Sequence, residues 1–167
     1  MKTTLKLITI LFATLLISCG GKEEKKKEGF SYQKKAPTEK KTTEKAEKVP
    51  ASKQIDLSNK GVGPIKSLKL SSEIDEKMVA QGADVFKKMC TACHRADKKF
   101  IGPAPKDILE RRTPEWVMNM ILDPEGMVKN DPLAKALLIE FNGSPMANQN
   151  LTEEEARAVL EYFRTLK

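Results

Sequence analysis

The sequence predicts an all-α domain, and three observations carry that prediction. Apolar residues recur at helical spacing from about Glu73 to the carboxyl terminus. Helix-start signals punctuate that pattern at Thr113-Pro114-Glu115, at Asp131-Pro132 and at Thr152 with Glu155. No stretch alternates apolar and polar residues as a half-buried strand does, and no internal repeat is present. At 167 residues the chain holds one domain of ordinary size plus appendages.

The first appendage is residues 1–18. Lys2 and Lys6 flank the start of the apolar run LITILFATLLI, which ends in small residues at LISCGG. A charged start, a short apolar middle and small residues at a cleavage point describe an export signal, too short for a comfortable membrane-spanning helix. Leu16-Ile17-Ser18-Cys19-Gly20 resembles a bacterial lipoprotein lipobox, which implies cleavage before Cys19 and acylation of that residue. Buried acyl chains contribute roughly 0.8 kcal/mol per methylene, so Cys19 is expected to tether the mature chain to a membrane.

Residues 19–54 follow as the acylated cysteine and a linker rich in Lys, Glu, Thr and Pro. That composition cannot bury enough apolar surface to offset its ordering entropy, so disorder is expected. As a flexible coil the linker has a root-mean-square span of about 30 to 35 Å. The net charge of +7 and the pI of 9.3 belong to the signal and linker, because residues 55–167 hold seventeen basic and seventeen acidic side chains. A nucleic-acid partner is therefore not expected, and a monomer is. Within the neutral part, residues 85–112 are basic, with Lys87, Lys88, Arg95, Lys98, Lys99, Lys106, Arg111 and Arg112 against three acids. Such a face would steer a partner electrostatically.

Residues 55–72 read as an extended lead-in because of Gly61-Val62-Gly63-Pro64. Residues 73–167 then form the helical domain. Its first helix is expected from Glu73 to Met89, with Ser72 as cap and Ile74, Met78, Val79, Val85, Phe86 and Met89 inward. TPEWVMNMIL gives a second helix, DPLAKALLIEF a third that stops at Asn142-Gly143, and TEEEARAVLEYFRTLK a last one opened by the Thr152/Glu155 capping box.

Chemistry concentrates in Cys90-Thr91-Ala92-Cys93-His94, which holds the only histidine of the chain and both cysteines other than Cys19. A thioredoxin-like redox pair needs a strand meeting a helix, and strands are missing. A structural zinc site needs four ligands, and no second Cys/His pair exists. A simple disulfide leaves the position of His94 a coincidence. C-x-x-C-H is also the attachment motif of c-type haem: two thiols for two thioether links and an imidazole for the iron. One covalent haem through Cys90 and Cys93, with His94 as an axial ligand, is the reading adopted.

With that motif in view, residues 82–167 resemble a small bacterial class I, monohaem cytochrome c. The resemblance rests on Gly82 and Phe86 ahead of CTACH, on Tyr162 in LEYFRTL, and on Phe100-Ile101-Gly102-Pro103 behind it. It implies an orthogonal helix fold around the haem, with Gly82 allowing the first and last helices to touch. It also implies that the Pro103 carbonyl accepts a hydrogen bond from the free nitrogen of His94, fixing the ring. Trp116 is placed either against a haem propionate through its indole N–H or in the core.

The sixth iron ligand is open between two methionines. Met146, in the loop NGSPMANQN before the last helix, matches the family's distal methionine, whereas Ala147 stands where the family often has Pro; Met127 in DPEGMVKND is the alternative. Met118 and Met120 are assigned to the core. Histidine-methionine ligation closes the iron and raises its potential, so single-electron transfer rather than enzymatic turnover is expected. The resemblance extends to lipoprotein cytochromes of the respiratory chain that serve terminal reductases, nitrous oxide reductase among them, or terminal oxidases. It implies redox donors and acceptors in the cell envelope, on the periplasmic face of a bacterial membrane. The alternatives are a sensor or enzyme for gas or peroxide with a displaceable methionine, and a fixed relay inside a larger complex.

Overall fold

The computed structural model describes residues 49–167. The export signal, Cys19 and the linker up to residue 48 lie outside the described residues. Five α-helices are present among the described residues, and no strand. None of these helices is long and apolar enough to cross a membrane.

Helix α1 spans Glu76–Met89. It starts three residues later than expected, because Asp75 rather than Ser72 caps it, its carboxylate accepting the N–H groups of Lys77 and Met78. Ile74 and Met89, expected inward, are exposed; the fully buried positions of α1 are Gly82 and Phe86. Helix α2 (Pro114–Leu122) is capped by Thr113 and buried over most of its length, including Trp116, Val117, Met118 and Asn119. A helix not anticipated, α3 (Pro124–Asn130), is capped by Asp123, which accepts the Gly126 N–H. Helix α4 (Pro132–Glu140) is capped by Asp131 and ends where Asn142 and Gly143 turn left-handed. The capping box of Thr152 and Glu155 opens α5 (Glu153–Arg164).

The crossing of α1 and α5 is the backbone of the fold. A Cβ on Gly82 would fall onto the Ala158 carbonyl, so the helices meet main chain to main chain. One turn along, Phe86 packs against Tyr162 and, nearly perpendicular, against Phe163, with ring centroids 5.6 and 5.7 Å apart. Glu161, 1% exposed, pins the other end: it pairs with Arg157 and Arg164, both at 2.6 Å, and accepts the Asp75 N–H.

The lead-in is a strap laid over α2, α3 and α4. Gly61 is left-handed and passes so close to Met127 that a Cβ there would lie 2.7 Å from its Sδ. Asn119, fully buried, holds the strap like a peptide, accepting from Ile65 N–H and donating to the carbonyls of Lys60 and Ile65. The end of the expected disordered linker is part of this strap. Ala51–Lys53 form a 3-10 turn with Ala51 buried, and Ser52 donates both its N–H and its hydroxyl to Glu140. Composition misses this because the partners lie some 60 to 90 residues further on.

Candidate cofactor site

CTACH begins where α1 ends. Cys90 is the C-cap residue, and the N–H groups of Cys93 and His94 both return to its carbonyl at 3.1 and 2.9 Å. The next segment is tied to this turn by Gly102 N–H, which donates to the Cys93 carbonyl at 2.8 Å. His94 Nδ1 donates to the Pro103 carbonyl, also at 2.8 Å. A carbonyl can only accept, so Nδ1 carries a proton; in the neutral ring this leaves the Nε2 lone pair free, the arrangement a metal-binding imidazole requires. Gly102 permits this packing: a Cβ there would sit 2.5 Å from His94 Cε1. Burial pushes the Cys90 thiol up to about 11, with Cys93 adding to the shift, while Cys93 itself is exposed.

Cys90, Cys93 and His94 open onto one apolar cavity. Its walls include Ile101 and Pro103 from the segment after the motif, Val117 and Ile121 from α2, and Leu137 from α4. Met146 reaches the cavity from the loop between α4 and α5, half-buried, and Met120 from α2. Met127 does not: it is fully buried elsewhere, its sulfur accepting the Val62 N–H at 3.1 Å. Of the methionines weighed from the sequence, Met146 thus lines the cavity and Met127 does not, and Met120, expected in the core, lines it as well.

Of the two places expected for Trp116, the structure has the core, where it is 3% exposed. Its ring lines the cavity, but its indole N–H donates to Asp131 at 3.2 Å and is not free for a propionate. Asp131 is buried and committed on all sides, capping α4 and accepting from Asn59 as well. Arg111 and Arg112 also belong to the lining of the cavity. In each the Nε is buried with no hydrogen-bond partner. Among the described residues neither guanidinium has a carboxylate in ion-pair contact.

This inverts part of the basic face expected from the sequence. Lys87, Lys88, Lys98 and Lys99 are exposed, whereas Arg112 is 1% exposed and Arg95 lies over the Phe100 ring. Nothing in the sequence separates Arg111 and Arg112 from their solvated neighbours; only the fold turns them inward. The site therefore offers two thiols, one oriented imidazole, an apolar slot and, in its lining, two arginines with no carboxylate partner. Such a donor set fits a flat apolar macrocycle carrying a metal and carboxylates, namely haem.

A helical fold with CTACH at the end of its first helix, opening onto such a cavity, defines a c-type haem protein. Comparison with known proteins gives the family: residues 79–167 match the cytochrome c family, and the chain belongs to it. Cytochrome c-551 of Ectopseudomonas mendocina is 34% identical over 89 residues, which cover 53% of this chain and 100% of that protein. Cytochrome c from Rhodothermus marinus is 45% identical with a TM-score of 0.60, over 62% of this chain and 89% of that one. An engineered form of the latter, bound to a carbene intermediate, is 44% identical with a TM-score of 0.58, over 62% and 89%. The chain thus carries haem c, bound covalently through Cys90 and Cys93, and its function is haem-based electron transfer.

Proposed function

We propose that the chain is a lipid-anchored carrier of single electrons in the bacterial cell envelope, with the iron held by His94 and Met146. The observation that carries this reading is that one apolar cavity receives both an imidazole with a free Nε2 and the half-buried thioether of Met146. When bound, the haem supplies an iron that cycles between ferrous and ferric states. Pro103 accepts from His94 Nδ1, and His94 and Met146 would hold the iron; that ligand pair would leave no site for a substrate and raise the potential. Met120 approaches from a helix, whereas the Met146 loop is exposed on both sides of that residue and can adjust to an iron.

Electrons pass where the cavity meets solvent. Cys93 and Ile101 both line the cavity and are exposed, beside Phe100 at 45% exposure. Lys87, Lys88, Lys98 and Lys99 surround that mouth in sequence and suit an acidic redox partner, a terminal reductase or oxidase of the respiratory chain. Cys19 and the linker hold the domain near membrane-bound partners and raise their effective concentration. The exported location follows from residues 1–19.

The test is the absorption of the reduced holoprotein with and without carbon monoxide, in wild type, Met146→Ala and Met120→Ala. Wild type and Met120→Ala are expected to ignore carbon monoxide, and Met146→Ala to bind it. Binding by the wild type would shift the reading towards a sensor or enzyme with a displaceable ligand.

A further inference from the structure

The strap lies ahead of the segment matched to the cytochrome c family, residues 79–167, and it leaves large apolar side chains in water. Asp56 faces the helical domain: its N–H donates to the Arg111 carbonyl at 2.9 Å, and its carboxylate accepts from Ser58 and Asn59. The neighbours of such a residue in an extended segment point the other way, and Ile55 and Leu57 are 71% and 58% exposed. The Gln54 side chain donates to the Val49 carbonyl at 3.0 Å, which keeps Val49, also exposed, beside Ile55. On α4 the exposed Ile139 stands next to Glu140, the residue that clasps Ser52. Four apolar side chains gathered around one short segment are more than the single ones a soluble surface scatters.

The same segment is cationic. Residues 49–70 hold Lys53, Lys60, Lys66 and Lys69, all exposed, against the single acid Asp56. Lys60 Nζ reaches the Lys66 carbonyl at 3.1 Å and Glu115 at 3.2 Å, and Glu115 also accepts the Leu68 N–H, so Lys66 is brought back to within a few residues of Leu57. The acids in reach are engaged, Asp56 by its own turn, Glu115 by Lys60 and Glu140 by Ser52. Among the described residues Lys53, Lys66 and Lys69 have no carboxylate in ion-pair contact. Apolar side chains set among free ammonium groups suit a lipid surface with anionic headgroups, where the former enter the acyl boundary and the latter meet phosphates.

The layout of the chain selects that occupant over another protein. Val49 follows Cys19, the expected acylation site, by thirty residues, and residues 20–48 between them hold ten lysines against six glutamates. The segment that leads from the anchor to the strap thus carries the same sign of charge as the strap itself. We propose that Val49, Ile55 and Leu57, with Lys53, Lys60 and Lys66 around them, form a docking face for an anionic lipid bilayer. The domain then rests on the membrane by its strap instead of swinging at the end of a leash, and CTACH, which is no part of this face, is left to redox partners. This goes beyond the electron-carrier reading and does not depend on which methionine binds iron.

The experiment places a thiol at Leu57 and, as a control, at Gln81 on α1, in the full-length holoprotein. Both positions are exposed, so folding and the haem spectrum are expected to be unchanged. The protein is reconstituted on vesicles of phosphatidylcholine, alone or mixed with phosphatidylglycerol, and treated with an uncharged, water-soluble maleimide, the reaction at each site being read by peptide mass. Relative to Gln81→Cys, Leu57→Cys is expected to react about tenfold more slowly on the anionic vesicles than on the neutral ones. High salt is expected to restore the rate, and changing Lys53 and Lys66 to Gln to weaken docking about fivefold per lysine. Rates that do not differ between the two vesicles overturn the proposal: fast on both, the strap is free in water; slow on both and in high salt, a second copy of the chain covers it. The anchor is read separately, from the mass of the amino-terminal peptide. A Cys19 without acyl chains overturns the anchor, and the same two rates, measured on that chain with vesicles added, still decide the docking face.

Discussion

Gly82→Ala is the most informative single substitution for the fold. In an isolated helix the change would be favourable by about 1 kcal/mol. Here the new methyl falls on the Ala158 carbonyl and crowds the Val159 nitrogen, both main-chain atoms that cannot rotate aside. The two helices must separate, and the Phe86 contacts with Tyr162 and Phe163 one turn away loosen with them. Overpacking of this kind costs about 3 kcal/mol at an unyielding site, for a net loss of about 2 kcal/mol after the propensity gain. For a domain of this size that is a fall in Tm of roughly 8 °C. Thermal unfolding of the holoprotein followed by helical circular dichroism measures it. A Gly82→Ala protein as stable as wild type would refute the claim that main-chain contact at this crossing organises the fold.

Further outcomes are expected elsewhere in the molecule. Burial raises the Glu161 carboxyl, but the Asp75 N–H and the charges of Arg157 and Arg164 outweigh it and hold the group below its ordinary value of 4.5. Its contribution is therefore present above about pH 4.5 and lost as pH falls through the lowered value, which a stability profile of wild type against Glu161→Gln would show. At neutral pH Glu161→Gln is expected to cost about 3 kcal/mol, because it strands two arginines over one site. Gly102→Ala pushes on His94 Cε1, and a changed haem spectrum and potential are expected with little loss of helix. The double variant Cys90→Ala, Cys93→Ala removes covalent attachment and leaves the cavity between α2, α4 and CTACH unfilled; a clear drop in helical circular dichroism is expected.

Local chemistry was legible in the sequence wherever the partners were close along the chain. Thr113-Pro114, Asp131-Pro132 and the Thr152/Glu155 box start helices in the structure because each cap reaches only three residues ahead. CTACH was legible because its spacing encodes chemistry rather than packing. Helix α3 was missed although Asp123-Pro124 repeats the same start signal, since Gly126 and its short length weaken the periodicity. Asp75 displaced Ser72 as the cap of α1 through a contact with Glu161, 86 residues away. The inward turn of Arg111 and Arg112, the diversion of the Trp116 N–H to Asp131 and the ordering of residues 49–54 share that origin. Arg112 and residues 49–54 depend on pairings between the strap and the helical domain, and Trp116 on one with Asp131, which no short local window contains.

The central claim is that CTACH holds one haem that takes up one electron. Reductive titration of the purified full-length protein, with iron and haem counted per chain and the haem peptide located by mass, tests it most directly. The expected result is one iron and one covalent haem per chain, attached through Cys90 and Cys93, reduced reversibly by a single electron. A chain that matures without haem, or that takes up more than one electron per iron, would contradict it.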